Sequence, residues 1–161
     1  MTRSDDKRIQ WTDDETAAWT GLVRSGQGLL HSVETALKEK GLPPLAWYDV
    51  LWELEKARPA GLRLNDLGSR VLLDKYNVTR LVTRLEKERL ARRKGCTGDG
   101  RGVFALITPK GVRLRERMWP VYSRAVREGL FSRLSPRETA SLKKLLGRVS
   151  GETGKSTAKS D

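Results

Sequence analysis

Asp74 to Gly111 reads DKYNVTRLVTRLEKERLARRKGCTGDGRGVFALITPKG, and its periodicity changes partway along. Up to Lys87 the apolar residues are Val78, Leu81, Val82 and Leu85, the three- and four-residue spacing of one buried helical face. Asp74 stands where it can cap that helix. The opposite side carries Tyr76, Arg80, Thr83 and Lys87, flanked by Asn77, Thr79 and Arg84, and nearly all of these donate hydrogen bonds. A surface helix without a partner usually mixes acid and base at four-residue spacing, whereas Glu86 and Glu88 come only near the end here. Arg92, Arg93 and Lys94 lead into a strand, Thr97 to Gly102 supplies a glycine-rich turn, and Val103 to Ile107 is the returning strand. The pattern predicts a polar-faced helix followed by a basic two-stranded hairpin.

Charge follows the same boundaries. From Arg58 to Arg117 there are 16 Lys and Arg against 6 Asp and Glu, so this segment holds +10 of the net +12. A merely solvated surface would spread that excess along all 161 residues. Clustered base is instead the electrostatic footprint of a nucleic-acid binder, because Lys and Arg release the counterions condensed on a duplex.

Composition narrows the remaining classes. A chain of 161 residues with 37% hydrophobic content and five Trp can bury one sizeable core, which predicts one domain. No apolar run approaches the roughly 20 residues that cross a bilayer, and the opening MTRSDDKRIQ has no apolar stretch for a secretory signal. A cytoplasmic protein with no membrane partner is expected. One cysteine, Cys96, and one histidine, His31, leave no disulfide framework, no multi-cysteine zinc site and no nucleophile paired with a base. Gly95 to Gly102 is glycine-rich, but its spacing is not that of a phosphate-binding loop and no Gly-Lys-Ser/Thr follows. Neither enzymatic activity nor a metal or cofactor is expected.

Outward from the basic segment, the elements are helical. Thr12-Asp13-Asp14-Glu15 has the form of a capping box, and Trp19, Leu22, Val23, Leu29, Leu30, Val33 and Leu37 roughly follow a helical period. Gly41, Pro43 and Pro44 stop this helix and start another. Glycines at 21, 26 and 28 each cost on the order of 1 kcal/mol relative to Ala, so the first helix needs a large packing partner, such as a second subunit. Trp47, Val50, Leu51 and Leu54 mark the buried face of a second helix that ends before Pro59. Leu64, Leu67 and Val71 suggest a short third helix with Asn65 and Asp66 at its N-terminal end, followed by a turn from Val71 to Asp74. Thr108-Pro109 opens a long helix to about Phe131, which Pro120 should kink. Ser135-Pro136-Arg137-Glu138 is a second capping box, and Leu142, Leu145, Leu146 and Val149 form the stripe of a last helix.

The order helix, helix, turn, helix, basic hairpin is that of a winged helix-turn-helix, a mainly α (α+β) fold whose second turn helix enters the major groove while the hairpin covers the flanking minor groove. From residue 12 to 150 the chain resembles the MarR-type bacterial transcriptional regulators, most specifically in NVTRLVTRLEKERLARRK and in GDGRGVFALITPKG, which is similar to that family's wing signature. It departs from the family in having Gly100 where a charged or bulky residue is frequent. The resemblance implies one winged-helix domain over 12–150; residues 1–11 before it are expected to be flexible, and the tail 151–161, GETGKSTAKSD, is too polar to order itself. Within that domain, 12–42 and 109–150 would be dimerisation helices and 43–108 the DNA-binding lobe, with a recognition helix at 75–89 and a wing at 91–107. It further implies an obligate homodimer with a ligand cleft between the helical bundle and the DNA-binding lobe. By the same correspondence Asp99 would brace the wing by pairing with an arginine, and Arg101 would enter the minor groove. Lys75, Tyr76, Asn77, Thr79, Arg80, Thr83 and Arg84 would supply the recognition-helix contacts to bases and phosphates.

Taken together these features describe a homodimeric repressor on a pseudopalindromic double-stranded DNA operator, released by a small aromatic or anionic effector. The alternative is a non-specific architectural or RNA-binding winged-helix protein. Several single residues keep two readings. Trp19 and Trp47 lie on apolar stripes, as core residues do, with ligand contact as the other option; Tyr48 and Trp52 lie off the stripe of the second helix and would line a cleft or complete a dimer contact. His31 is structural or a ligand or pH contact. Cys96 lies near Arg93 and Lys94, which would favour its thiolate, yet the peroxide-sensing branch of the family carries its cysteine in the first helix, where this chain has none.

Overall fold

The computed structural model describes residues 10–71, 78–95 and 102–151. The expectations for Asp74, Lys75, Tyr76, Asn77, Cys96, Asp99 and Arg101, for residues 1–9 and for the tail beyond 151, lie outside them.

Helix α1 spans Asp13–Glu39 and opens on the anticipated box: the Glu15 amide donates to the Thr12 hydroxyl at 3.1 Å, and the Thr12 amide donates to the Glu15 carboxylate at 2.7 Å. Gly41, at φ +62°, takes the left-handed conformation that ends it. Helix α2 spans Leu45–Lys56. Strand β1, Leu62–Arg63, precedes helix α3, Leu64–Arg70. Helix α4 is described over Val78–Lys87, with Val78, Val82 and Leu85 buried as their spacing requires. Strands β2, Ala91–Gly95, and β3, Val103–Ile107, form the antiparallel hairpin, with Arg93 opposite Ala105. Helix α5 runs unbroken from Pro109 to Gly129 through Pro120, a turn of 3-10 helix follows at Phe131–Arg133, and helix α6 spans Pro136–Val149 behind a second capping box from Ser135 and Glu138.

Among the described residues the sheet has three strands, one more than the expected hairpin. β1 pairs with β3, Leu62 opposite Ala105, giving the order β1-β3-β2. Gly61 permits this pairing: at φ +79° it lies so close to the sheet that an added Cβ would stand 2.5 Å from the Ala105 carbonyl oxygen.

Two cores result. One joins Val50, Leu51 and Leu54 of α2, Leu67 of α3, Val82 and Leu85 of α4, and Ala105 and Ile107 of β3. The other sets Val33 and Leu37 of α1 against Leu45 and Tyr48 of α2 and Met118 of α5. Helix α2 thus belongs to both, and is the element through which the two cores meet. The apolar stripe of α1 is covered only in its last third: Trp19 and Leu22 are exposed, as are Leu145, Leu146 and Val149 of α6, the last at 81%.

Candidate nucleic-acid interface

Burying Val78, Val82 and Leu85 turns the other side of α4 outward, so Thr79, Arg80, Arg84 and Lys87 are exposed. Thr83 is half-buried; its hydroxyl donates to the Thr79 carbonyl at 2.9 Å and accepts from the Arg93 guanidinium at 2.9 Å. Strand β2 adjoins α4, with Arg92 and Lys94 exposed and Arg93 turned toward the helix, 2.7 Å from the Glu86 carboxylate. The end of α4 is tied to the start of α5: Lys110 donates to the Glu88 carbonyl at 2.7 Å, the Thr108 hydroxyl to the Arg89 carbonyl at 2.8 Å, and the Thr108 amide to the Leu90 carbonyl at 3.0 Å. These bonds take the carbonyls of the turn that follows α4, and they fix that turn to the start of α5. Arg63 was not singled out by its sequence context. It lies along the returning wing strand with its guanidinium 5.4 Å from the Phe104 ring centre, on the same basic face.

Between α1, α2 and α5 is a cleft of about 670 Å³ lined by Leu30, Val33, Tyr48, Trp52, Trp119 and Tyr122, with Asp49 and Arg115 as its charged lining residues. Tyr48 stacks on Trp119 with centroids 6.1 Å apart and meets Tyr122 edge-on at 5.0 Å. Arg115 of α5 reaches Glu55 of α2, Nε to Oε2 at 2.5 Å in an ion contact without hydrogen-bond alignment, and its guanidinium lies 5.2 Å from the Trp52 ring centre. Burial opposes the Arg115 charge, but the hydrogen bonds with Tyr48 and, from Nη2 to Oε1 at 3.5 Å, with Glu55 outweigh it and raise the pKa above the ordinary arginine value. Burial likewise raises the phenols of Tyr48 and Tyr122, the latter helped by the Asp49 charge.

Of the aromatic and histidine candidates, Tyr48 lines this cleft, and so does Trp52. Trp47 packs against the core that joins α2, α3, α4 and β3, His31 lies in a separate groove with Glu34 and Lys38, and Trp19 meets Trp11 edge-on at 6.3 Å near the chain start. Trp119 and Tyr122 were missed. Their signal was the spacing Arg115, Trp119, Tyr122, Val126, one face of a helix that carries a cation at one end and apolar surface along the rest.

A polar helix face beside a basic hairpin, both held on a helical bundle, defines a winged helix-turn-helix DNA-binding protein. Residues 40–102 match the MarR family. The chain is 34% identical over 119 residues to the uncharacterised HTH-type transcriptional regulator YkoM of Bacillus subtilis, spanning 74% of each protein. Sco3205, a MarR family transcriptional regulator from Streptomyces coelicolor whose crystal structure is a complex with DNA, is similar with a TM-score of 0.81 and 27% identity over 95% of both chains. AbsC, a MarR family transcriptional regulator from the same organism, gives 0.79 and 28% over 89% of this chain and 97% of its own. The chain belongs to the MarR family of transcriptional regulators and is not an enzyme. No helix among the described residues is long and apolar enough to cross a membrane.

Proposed function

We propose that the protein acts as a homodimeric repressor on a pseudopalindromic operator and leaves it when a small aromatic or anionic molecule occupies the interlobe cleft. The observation that carries the DNA-binding part is the outward face of α4, where Thr79, Arg80, Arg84 and Lys87 stand exposed beside the basic strand β2. The DNA complex of Sco3205 supports the same use of this fold. Lys75, Tyr76, Asn77, Thr79, Arg80, Thr83 and Arg84 would contact the major groove, and Arg101, braced by Asp99, the minor groove.

The dimer is supported by what one chain leaves uncovered. Trp19 and Leu22 of α1 and Leu145 and Val149 of α6 expose their apolar stripes, a surface that a twofold partner would bury. The effector part is supported by the aromatic lining of the cleft and by its position: α2 supplies Tyr48 and Trp52, α5 supplies Arg115 and Trp119, and the Arg115–Glu55 pair bridges the two helices. A ligand that prefers one spacing of bundle and lobe shifts DNA affinity by that preference. Sequencing the DNA retained by the purified protein, with its own upstream region in the pool, tests the reading. Recovery of a shared inverted repeat is expected; recovery without sequence preference would favour an architectural protein.

A further inference from the structure

We infer that Arg93 is a positioning residue that holds the wing against the recognition helix, with Glu86 and Thr83 as its partners, and that its charge contributes nothing to phosphate contact. The inference rests on the DNA-binding reading above.

β2 is an edge strand, so its outer amides have no strand to pair with. The Arg93 amide is one of these, and it donates to Glu86 Oε1 at 2.9 Å. The same residue's guanidinium lies 2.7 Å from Glu86 Oε2. One carboxylate is therefore held by both the backbone and the side chain of Arg93, which restrains the angle of the strand as well as its distance from α4. A second guanidinium nitrogen donates to the Thr83 hydroxyl at 2.9 Å and reaches the Thr79 carbonyl at 3.4 Å, one turn back along α4. Both ion-pair side chains are largely covered, 31% and 26% exposed. The neighbours differ: Arg92 and Lys94 are exposed, and among the described residues neither pairs with a carboxylate.

The consequence for DNA follows from geometry and charge together. Helix and wing must meet major and minor groove at once, so any freedom between them costs affinity when the complex forms. A guanidinium spent on Glu86 releases no counterion from DNA, because the pair is already neutral.

The test measures affinity over a salt series with two duplexes, one selected from a random library and one scrambled. Arg93→Met should weaken the selected duplex by about five- to tenfold. The slope of log K against log salt should stay unchanged, whereas loss of a phosphate contact lowers it by roughly one. Glu86→Gln gives the opposite sign under the two accounts. It weakens binding if Glu86 holds the wing, and strengthens binding if it merely competes with phosphates for Arg93. The exchange Glu86→Arg with Arg93→Glu should recover part of the lost affinity. Hydroxyl-radical footprints of Arg93→Met should lose protection at the minor-groove flanks while major-groove protection persists, which general destabilisation would not produce. A reduced slope, or tighter binding by Glu86→Gln, overturns the inference. Failure of the unaltered protein to bind either duplex overturns the DNA-binding reading instead.

Discussion

Arg80 and Arg93 both carry charge on the basic side of the molecule, and their surroundings give them different tasks. Arg80 is exposed on the outward face of α4, while Arg93 is tied to Glu86 and Thr83. Arg80→Ala should cost about 1 to 3 kcal/mol on a selected duplex and less on a scrambled one, as removal of a base-edge contact does. Equal losses in fixed-salt titrations would class it with the phosphate contacts. Arg89 shows a different economy. It sits just past α4 at φ +58°, a conformation that suits glycine and disfavours a side chain by roughly 1 kcal/mol. Arg89→Gly should therefore raise the urea midpoint while lowering DNA affinity through the lost charge; an unchanged or lower midpoint would mean that the side chain itself stabilises the turn. The exposed cations were legible from the helical wheel. The Arg93 clamp was not, because its partners lie 7 and 10 positions away across a turn and only the fold sets them side by side.

The helix starts were legible because capping chemistry is local. Thr12 with Glu15, Ser135 with Glu138, and Thr108 before Pro109 each satisfy amides within one turn of themselves. Bonds from Thr12 and Ser135 lower the pKa of Glu15 and Glu138 below the ordinary value of 4.5. A carboxyl whose folded pKa is depressed stabilises fully above its unfolded pKa and loses that contribution as pH falls through the folded one. Melting temperature should thus drop between about pH 5 and pH 3, and less so in a variant with Glu15→Gln and Glu138→Gln, which caps without titrating. Parallel acid profiles for the two proteins would remove the caps from the account. Strand β1 has no signal in the sequence, since two residues show no alternation and exist as a strand only by pairing with β3. Pro120 falls inside the long helix, as its position in the sequence required, and α5 continues through it to Gly129. Its ring stands on the exposed side, where the carbonyl it leaves without an amide can meet water.

At the scale of the whole molecule, the apolar periods of α1 and α6 announced buried faces but not what would bury them. Within one chain only Val33 and Leu37 of α1 are buried, and α6 has no buried residue. The cleft was equally hidden, because one wall comes from α5, far along the chain from α1 and α2, and forms only once α5 packs across them. The central claim is that two chains present their recognition helices as one rigid, twofold reader. Such helices dock in successive major grooves about 34 to 36 Å apart, so the bound site should be an inverted repeat with half-site centres roughly one helical turn apart. The most direct measurement compares affinity for that site with affinity for the same site carrying five base pairs inserted between its halves, which turns one half to the opposite side of the duplex. The account predicts that affinity falls to the level of scrambled DNA while the salt dependence largely persists. Undiminished affinity for the inserted site would contradict it.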